Sequence, residues 1–214
     1  MKILALDAAL GRCSVAVWVD GVVLAARHLD VERGQAVLLA PMVAEVLGAA
    51  GSALDVVAVT VGPGSFTGLR ASIALAQGLA AGREAVLVGV TVAEVLQAAV
   101  SVPDRAVWVA IDSRRGRVFL VRNGDVEGFA LDGLPVAGGK IAVAGDAALE
   151  VASRLAARGV DVMLTDARRP WARHVAEVAA RRVAGELAPI AVQPLYVDPP
   201  EAKLPAGGLR PTPI

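Results

Sequence analysis

The chain is poor in side chains that hold metal ions or form cross-links. It contains one cysteine, Cys13, and two histidines, His28 and His174, among 214 residues. A single cysteine excludes an internal disulfide framework and a cysteine zinc site. The two histidines lie in different halves of the chain, whereas a zinc site needs clustered ligands. We therefore expect no metal site here, and Cys13 is expected to be a small core residue.

The sequence also lacks a net charge and a long apolar run. Lys and Arg together number 21, as do Asp and Glu, while 56% of the residues are hydrophobic. Without a basic excess, the chain is not expected to hold most of a nucleic acid by itself. No uncharged apolar run approaches the length of about 18 residues that a membrane helix needs. The start MKILALDAAL, with Asp7, is not a signal peptide. These features predict a cytoplasmic protein that does not associate with membranes.

The most informative stretch is VTVGPGSFTGLR at 59–70, where a β-branched run leads through a tight loop into a helix. Ser65 or Thr67 can cap the helix, and free amides there could hold an anion. The loop matches neither the phosphate-binding P-loop nor the dinucleotide fingerprint, so a packing turn explains the spacing as well. The motif loop consists of Gly62, Pro63, Gly64, Ser65, Thr67, Gly68 and Arg70.

A weak internal repeat divides the chain into two α/β halves. ALDAALGR at 5–12 aligns with AIDSRRGR at 110–117, and a hairpin turn follows each at Asp20-Gly21 and Asn123-Gly124. We predict two duplicated lobes, each opening with a three-stranded meander, as in the actin/Hsp70-like (ASKHA) fold. The predicted lobes are 1–103 and 104–214, the second ending in a Pro-rich tail from 188.

Four long helices are predicted. The first, at 35–50, carries an apolar stripe and contains Pro41, which should kink it or delay its firm start. The second, from Gly68 to Gly82, has a face of small residues that lets another helix approach closely, either within this chain or in a partner. In the second half, Asp146 is expected to cap a helix over 147–158, and a last helix is expected over 170–187.

Asp7 is the strongest candidate for chemistry because it ends the first predicted strand. In nucleotide-binding proteins of this fold, an Asp here orients metal-bound water beside hydroxyl groups. In this chain Ala8 and Ala9 follow and offer no side-chain hydrogen bonds, so we predict that Asp7 caps the turn. In the second half Asp112 is followed by three arginines, Arg114, Arg115 and Arg117, which form either an anion or RNA contact or a solvated hairpin.

The complete string GPGSFTGLR at 62–70 resembles the signature of the TsaB (YeaZ) family. Segments at 3–17, 38–47, 110–119 and 194–205 support the resemblance. It implies the actin/Hsp70-like fold and a non-catalytic subunit of the machinery that makes N6-threonylcarbamoyladenosine in tRNA. The partners it implies are the catalytic subunit TsaD and the ATPase TsaE. ATP and metal are then expected on those partners, with no cofactor in the isolated chain, and tRNA is contacted through the complex.

The resemblance also implies that the first two helices bind TsaD, and that the same surface can form a homodimer. The partner-binding residues assigned on this basis are Leu38, Leu39, Met42, Val46, Ala71, Ala74 and Gly78. The chain departs from the family at Asp7-Ala8-Ala9, where Asp-Thr-Ser is usual, and at Gln35, near a usual His.

Two other functions remain open. A small ATP-dependent phosphotransferase would need a second phosphate loop, for which 143–146 is a poor match. A metallopeptidase would need the missing ligands.

Overall fold

The computed structural model describes residues 1–197, and its first half forms a five-stranded sheet with three helices. The strand order is β3-β2-β1-β4-β5, with antiparallel pairing from β3 to β1 and parallel pairing from β1 to β5. The elements are β1 (Lys2–Asp7), β2 (Arg12–Val19), β3 (Val22–Asp30), α1 (Gln35–Ala50), β4 (Val56–Gly62), α2 (Phe66–Ala81), β5 (Val86–Thr91) and α3 (Val92–Ala98).

The second half repeats this arrangement. Its sheet has the order β8-β7-β6-β9-β10, so β6 and β9 take the places of β1 and β4 and pair in the same directions. The predicted duplication, with a meander opening each half, is confirmed. The elements are β6 (Ala106–Asp112), β7 (Arg117–Arg122), β8 (Asp125–Ala130), a 3₁₀ turn (Leu131–Gly133), β9 (Ile141–Ala144), α4 (Ala148–Ala157), β10 (Val162–Leu164) and α5 (Ala172–Val183).

The helix α5 of the second half packs on the first sheet, and the helix α3 lies between the two sheets. The first sheet has α1 and α2 on one face, and α5 from the second half on the other. The helix α3 from the first half contacts the second sheet through Val92, Ala93 and Leu96. Because both faces of the first sheet are covered, β1 and β4 are apolar at almost every position. The division at residue 103 stays a prediction, and the part of the Pro-rich tail from residue 198 lies outside the described residues.

Several predicted helix ends differ from the observed ones. The helix α2 starts at Phe66, because the Ser65 hydroxyl accepts a hydrogen bond from the Gly68 amide at 3.2 Å. The helix α4 has no side-chain cap, so the assignment of Asp146 as its cap is wrong. The Asp146 carboxylate instead accepts from the Asp112 amide at 2.9 Å, which ties β6 to the loop after β9.

The helices around two prolines also differ from prediction. The predicted helix over 170–187 is shorter, at 172–183, because Pro170 precedes the extended residue that starts α5. The helix α1 runs without a break through Pro41 and begins at Gln35, so its start is not delayed. The core positions facing the sheet on both sides of the proline hold α1 in place despite the missing amide donor.

Candidate functional site

The glycine loop is a close-packed joint between β4, α2 and the turn after β1. The Ser65 amide donates to the Ala9 carbonyl at 2.7 Å. A Cβ atom on Gly64 would lie 2.3 Å from that carbonyl oxygen, and one on Gly68 would lie 2.0 Å from the carbonyl oxygen of Ala8. Only glycine fits these positions. The loop therefore holds the first turn against the start of α2, which is the packing role that its spacing allowed.

Asp7 is fully buried at the end of β1. Its Oδ1 accepts from the Thr60 hydroxyl at 2.7 Å and from the Ala9 amide at 3.2 Å, which confirms that it caps the turn. Its Oδ2 has no hydrogen-bond partner within residues 1–197. Burial raises the pKa of Asp7 to about 7, and the hydrogen bond from Thr60 opposes the shift. The carboxyl group thus serves the turn and does not reach a solvent-filled cavity.

A cleft of about 880 Å³ lies between the two halves, next to the glycine loop. The first half lines it with Pro63 to Thr67, and the second half with Asp112 to Arg115 and with Asp146. Burial raises the pKa of Asp146, while the Asp112 amide opposes the shift. The charged residues that line the cleft are Glu32, Arg33, Arg70, Asp112, Arg114, Arg115 and Asp146.

An aromatic and cationic cluster stands at the mouth of this cleft. The Arg70 guanidinium lies 3.9 Å from the centre of the Phe66 ring, and its Nε donates to the Tyr196 hydroxyl at 3.0 Å. The Leu195 amide donates to the Val61 carbonyl at 2.7 Å, so the end of the described chain is attached to the motif loop. Sequence reasoning missed the contact between Arg70 and Tyr196, because nothing in the sequence relates two residues that lie 126 positions apart.

The residues predicted to bind a partner occupy two different environments. Leu39, Met42 and Val46 face the sheet and are exposed by only 1%, 6% and 2%. They cannot offer side chains to a partner in this monomer, because the apolar stripe of α1 covers β2 and β3. Ala74 and Gly78 are exposed on α2. Leu38 and Ala71 are half-buried. The interface itself stays a prediction.

The outer surface of α1 is unusually apolar, and small residues of α2 lie among its exposed positions. Val37 is 76% exposed, and of the other exposed positions on α1 only Glu45 carries a charge. We call the following exposed residues the α1–α2 surface: Ala36, Val37, Ala40, Pro41, Ala44, Gly48, Ala74 and Gly78.

Among residues 1–197, no group of three or more His, Cys, Asp or Glu side chains could hold a metal ion. Cys13 is buried, as predicted. His28 packs edge-on against Trp171, and His174 lies within hydrogen-bond distance of Glu177 at 2.8 Å. No helix in this part of the chain combines the length and apolarity required to cross a bilayer.

Comparison with known proteins relates most of the chain to one family. The family model described as TsaD, tRNA N6-adenosine threonylcarbamoyltransferase, matches residues 30–169. The tRNA threonylcarbamoyladenosine biosynthesis protein TsaB of Escherichia coli K12 is 41% identical over 127 residues, which cover 56% of this chain and 53% of the relative. The match thus spans about half the length of that relative.

Solved structures cover almost the whole chain. A Pseudomonas aeruginosa protein described as similar to peptidase YEAZ has a TM-score of 0.74 at 25% identity, covering 92% of this chain and 99% of that one. The (R)-2-hydroxyglutaryl-CoA dehydratase component A of Acidaminococcus fermentans has a TM-score of 0.53 at 12% identity, covering 86% and 99%. The second likeness concerns the fold alone, and the predicted actin/Hsp70-like class is confirmed.

Proposed function

The chain belongs to the family that the TsaD model describes, in its TsaB (YeaZ) branch, and on that basis we propose that it is a non-catalytic subunit in threonylcarbamoyladenosine synthesis. It binds the catalytic subunit TsaD in the cytoplasm and, together with the ATPase TsaE, supports transfer of the threonylcarbamoyl group. The acceptor is the adenosine next to the anticodon in tRNAs that read codons starting with A. ATP and metal belong to the partner subunits.

The observation that carries this proposal is the α1–α2 surface. A helix that faces water normally carries charged and polar side chains on its outer side. Here the outer side of α1 carries Ala, Val, Pro and Gly, with Glu45 as the one charged exposed residue. Neighbouring exposed apolar residues of this kind mark interaction surfaces. Small side chains also let the backbone of a partner helix come close, so a helix of TsaD fits this face.

The geometry of the first turn supports a non-catalytic role. A phosphotransferase of this fold needs a carboxylate that faces bound phosphate. Asp7 is fully buried and engaged by Thr60 and Ala9, and the Ser65 amide is engaged by the Ala9 carbonyl. The Asp7 carboxylate is thus used within the fold and does not line the cleft, and the Ser65 amide is used by the Ala9 carbonyl. The cleft itself is large enough for a small molecule, which keeps the phosphotransferase as the second candidate.

The interface is tested by placing one charge on the α1–α2 surface. We expect Ala44→Arg and Ala74→Arg to weaken binding of TsaD by roughly 100-fold or more, because a buried unpaired charge at an interface is costly. Isothermal titration measures the affinity, and threonylcarbamoyladenosine formed in the reconstituted system measures the function. Ala156→Arg is the matched control, since it puts the same charge on the exposed face of α4, the counterpart of α2.

The melting temperature of each variant separates an interface from a core. Ala74→Arg should melt within a few degrees of the wild type, because the side chain points to solvent in the monomer. If both variants bind TsaD normally, or if they lose binding only by unfolding, the interface assignment is wrong. The subunit role itself fails if the wild type neither binds TsaD nor supports modification. ATP hydrolysis that follows the isolated chain through purification would favour the phosphotransferase.

A further inference from the structure

We propose that a cluster of arginines around Trp171, on the side of the first sheet away from α1 and α2, binds the phosphate backbone of the tRNA. The cluster consists of Arg12, Arg168, Arg169 and Arg173 with the Trp171 ring, and we call it the Trp171 cluster. This inference rests on the proposed function, because it names the surface through which the subunit reaches the RNA substrate of the complex.

The Trp171 cluster is built where the start of β2 meets the start of α5. The Arg12 guanidinium lies 4.0 Å from the centre of the Trp171 ring, and that of Arg173 lies 5.4 Å from it. The His28 ring packs edge-on against the same indole at 4.5 Å between ring centres. A cavity of about 420 Å³ opens beside the ring. The indole thus lies between two guanidinium groups and lines the cavity together with Arg12, Arg168 and Arg169.

The positive charge of the cluster is only partly compensated by neighbouring carboxylates. Asp30 accepts two hydrogen bonds from Arg12, at 2.6 and 3.2 Å, and lies 3.2 Å from Arg169. Arg168 and Arg173 form no salt bridge with any carboxylate of residues 1–197. The Nε of Arg168 donates to the Thr165 carbonyl at 2.9 Å, which orients the guanidinium.

Two further carboxylates, Asp146 and Asp166, line the cavity. Four arginines therefore face three carboxylates, and two of those arginines keep their charge available. The site suits a few phosphates and not a long polyanion. This small number of phosphate contacts agrees with the zero net charge of the chain, which is not expected to hold most of an RNA by itself.

Chemistry favours RNA over an acidic protein as the occupant. A guanidinium group donates two parallel hydrogen bonds to a phosphate, and arginine is the residue that phosphate recognition uses most specifically. Aromatic rings and guanidinium groups are also the groups on which unpaired RNA bases stack. Because α5 covers the sheet face opposite α1 and α2, a partner on the α1–α2 surface leaves the Trp171 cluster open.

The test uses the complex of this chain with TsaD and an unmodified tRNA transcript that reads a codon starting with A. For the double variant Arg168→Gln, Arg173→Gln we expect binding to be roughly tenfold weaker, and the slope of log K against log salt to fall by about 2. The double variant Arg168→Lys, Arg173→Lys keeps both charges and should lose at most about threefold. Filter binding over a range of KCl concentrations gives both values.

Arg181→Gln is the matched control. Arg181 is exposed on the same helix, away from Trp171, and pairs with Glu186. Its loss should leave affinity and slope unchanged, which excludes a general effect of charge. Trp171 supplies a second readout, because the other two tryptophans, Trp18 and Trp108, are more than nine-tenths buried. We therefore expect the transcript to quench tryptophan fluorescence in the wild type, and we expect this quenching to be absent in Trp171→Phe.

The outcomes separate this inference from the proposed function. If the Gln double variant binds TsaD normally and the transcript with unchanged affinity and slope, the Trp171 cluster does not bind RNA. If the variant instead weakens assembly with TsaD, while the assembled complex binds the transcript normally, the cluster is a protein contact and the inference is wrong. A wild-type chain that does not bind TsaD at all overturns the proposed function and this inference with it.

Discussion

The two halves of the molecule share one sheet topology but differ in the helices that cover it. In the first half, α1 has 16 residues and lies between the third and fourth strands. In the second half, the same place in the order holds a 3₁₀ turn of three residues. The duplicated sheet is therefore kept, while the surface that we assign to a partner exists in the first half alone. Binding can be specialised by changing what covers a sheet, without changing the sheet.

The turn after the first strand of each half shows the same division. The Asp7 side chain accepts from the amide two residues on at 3.2 Å, and the Asp112 side chain does so at 2.8 Å. The turn geometry is thus retained in both halves. Asp7 is fully buried, however, whereas the side chain of Asp112 is 44% exposed and lies beside Arg114. The local sequence specifies the turn, while the packing around it determines whether the carboxylate is buried or exposed to solvent.

The largest expected effect comes from two glycines that pack against backbone carbonyl groups, Gly68 at the turn after β1 and Gly145 at β6. A Cβ atom on Gly68 would lie 2.0 Å from the Ala8 carbonyl oxygen, and one on Gly145 would lie 2.0 Å from the Ala110 carbonyl oxygen. Gly145 also has a φ of +104°. We expect Gly68→Ala and Gly145→Ala each to lower the free energy of unfolding by about 3 kcal/mol or more, since backbone must move.

Gly78→Ala is the control for these two variants. Gly78 lies on the exposed face of α2 with nothing within 4 Å of a Cβ atom. The change should stabilise the protein by about 0.5–1 kcal/mol, because alanine favours a helix over glycine. Denaturant unfolding measures all three. If Gly68→Ala and Gly145→Ala differ strongly from each other, the two joints are not equivalent and the comparison of the halves fails at that point.

The second prediction separates the two Asp turns by their response to pH. The native state holds a proton on Asp7 with a pKa of about 7, against an ordinary value of 3.8. The folded chain therefore binds this proton more tightly than the unfolded chain does. Stability should rise as the pH falls from about 7 to about 4, by up to roughly 1.4 kcal/mol per pH unit from this group.

Asp7→Asn should remove that contribution, so its stability should depend less on pH between 4 and 7 than that of the wild type. The raised pKa of Asp146 adds a change of the same sign to both proteins, so the difference between them is the quantity to measure. Asp112→Asn, on the exposed turn, controls for the loss of one carboxylate. Parallel stability curves for the wild type and Asp7→Asn would show that Asp7 is not held protonated by burial.

Sequence patterns predicted the duplication and the three-stranded meander that opens each half, because β periodicity, hairpin turns and the repeat are local signals. They also predicted the turn at Asp7, and they limited the cap of α2 to Ser65 or Thr67, of which the structure uses Ser65. They did not predict that α5 packs on the first sheet or that α3 lies between the two sheets, because a helix pattern shows that a face is buried but not against what. The family resemblance assigned the stripe through Leu39, Met42 and Val46 to a partner, although this stripe covers the sheet.

The tightest test of equivalence is the hairpin turn, where the expected difference between the halves is smallest. Asp20 and Gly21 have φ angles of 44° and 95°, and Asn123 and Gly124 have 52° and 93°. Both pairs thus adopt the left-handed conformation that a two-residue hairpin requires. A Cβ atom on either glycine would meet nothing within 4 Å, so a substitution there acts through the backbone alone.

Gly21→Ala and Gly124→Ala should each destabilise the fold by about 1–2 kcal/mol, and by amounts that agree within about 0.5 kcal/mol. Urea unfolding of the two variants gives the difference. A much larger loss at one turn would mean that this hairpin has a role in folding that its counterpart lacks, although both have the same geometry.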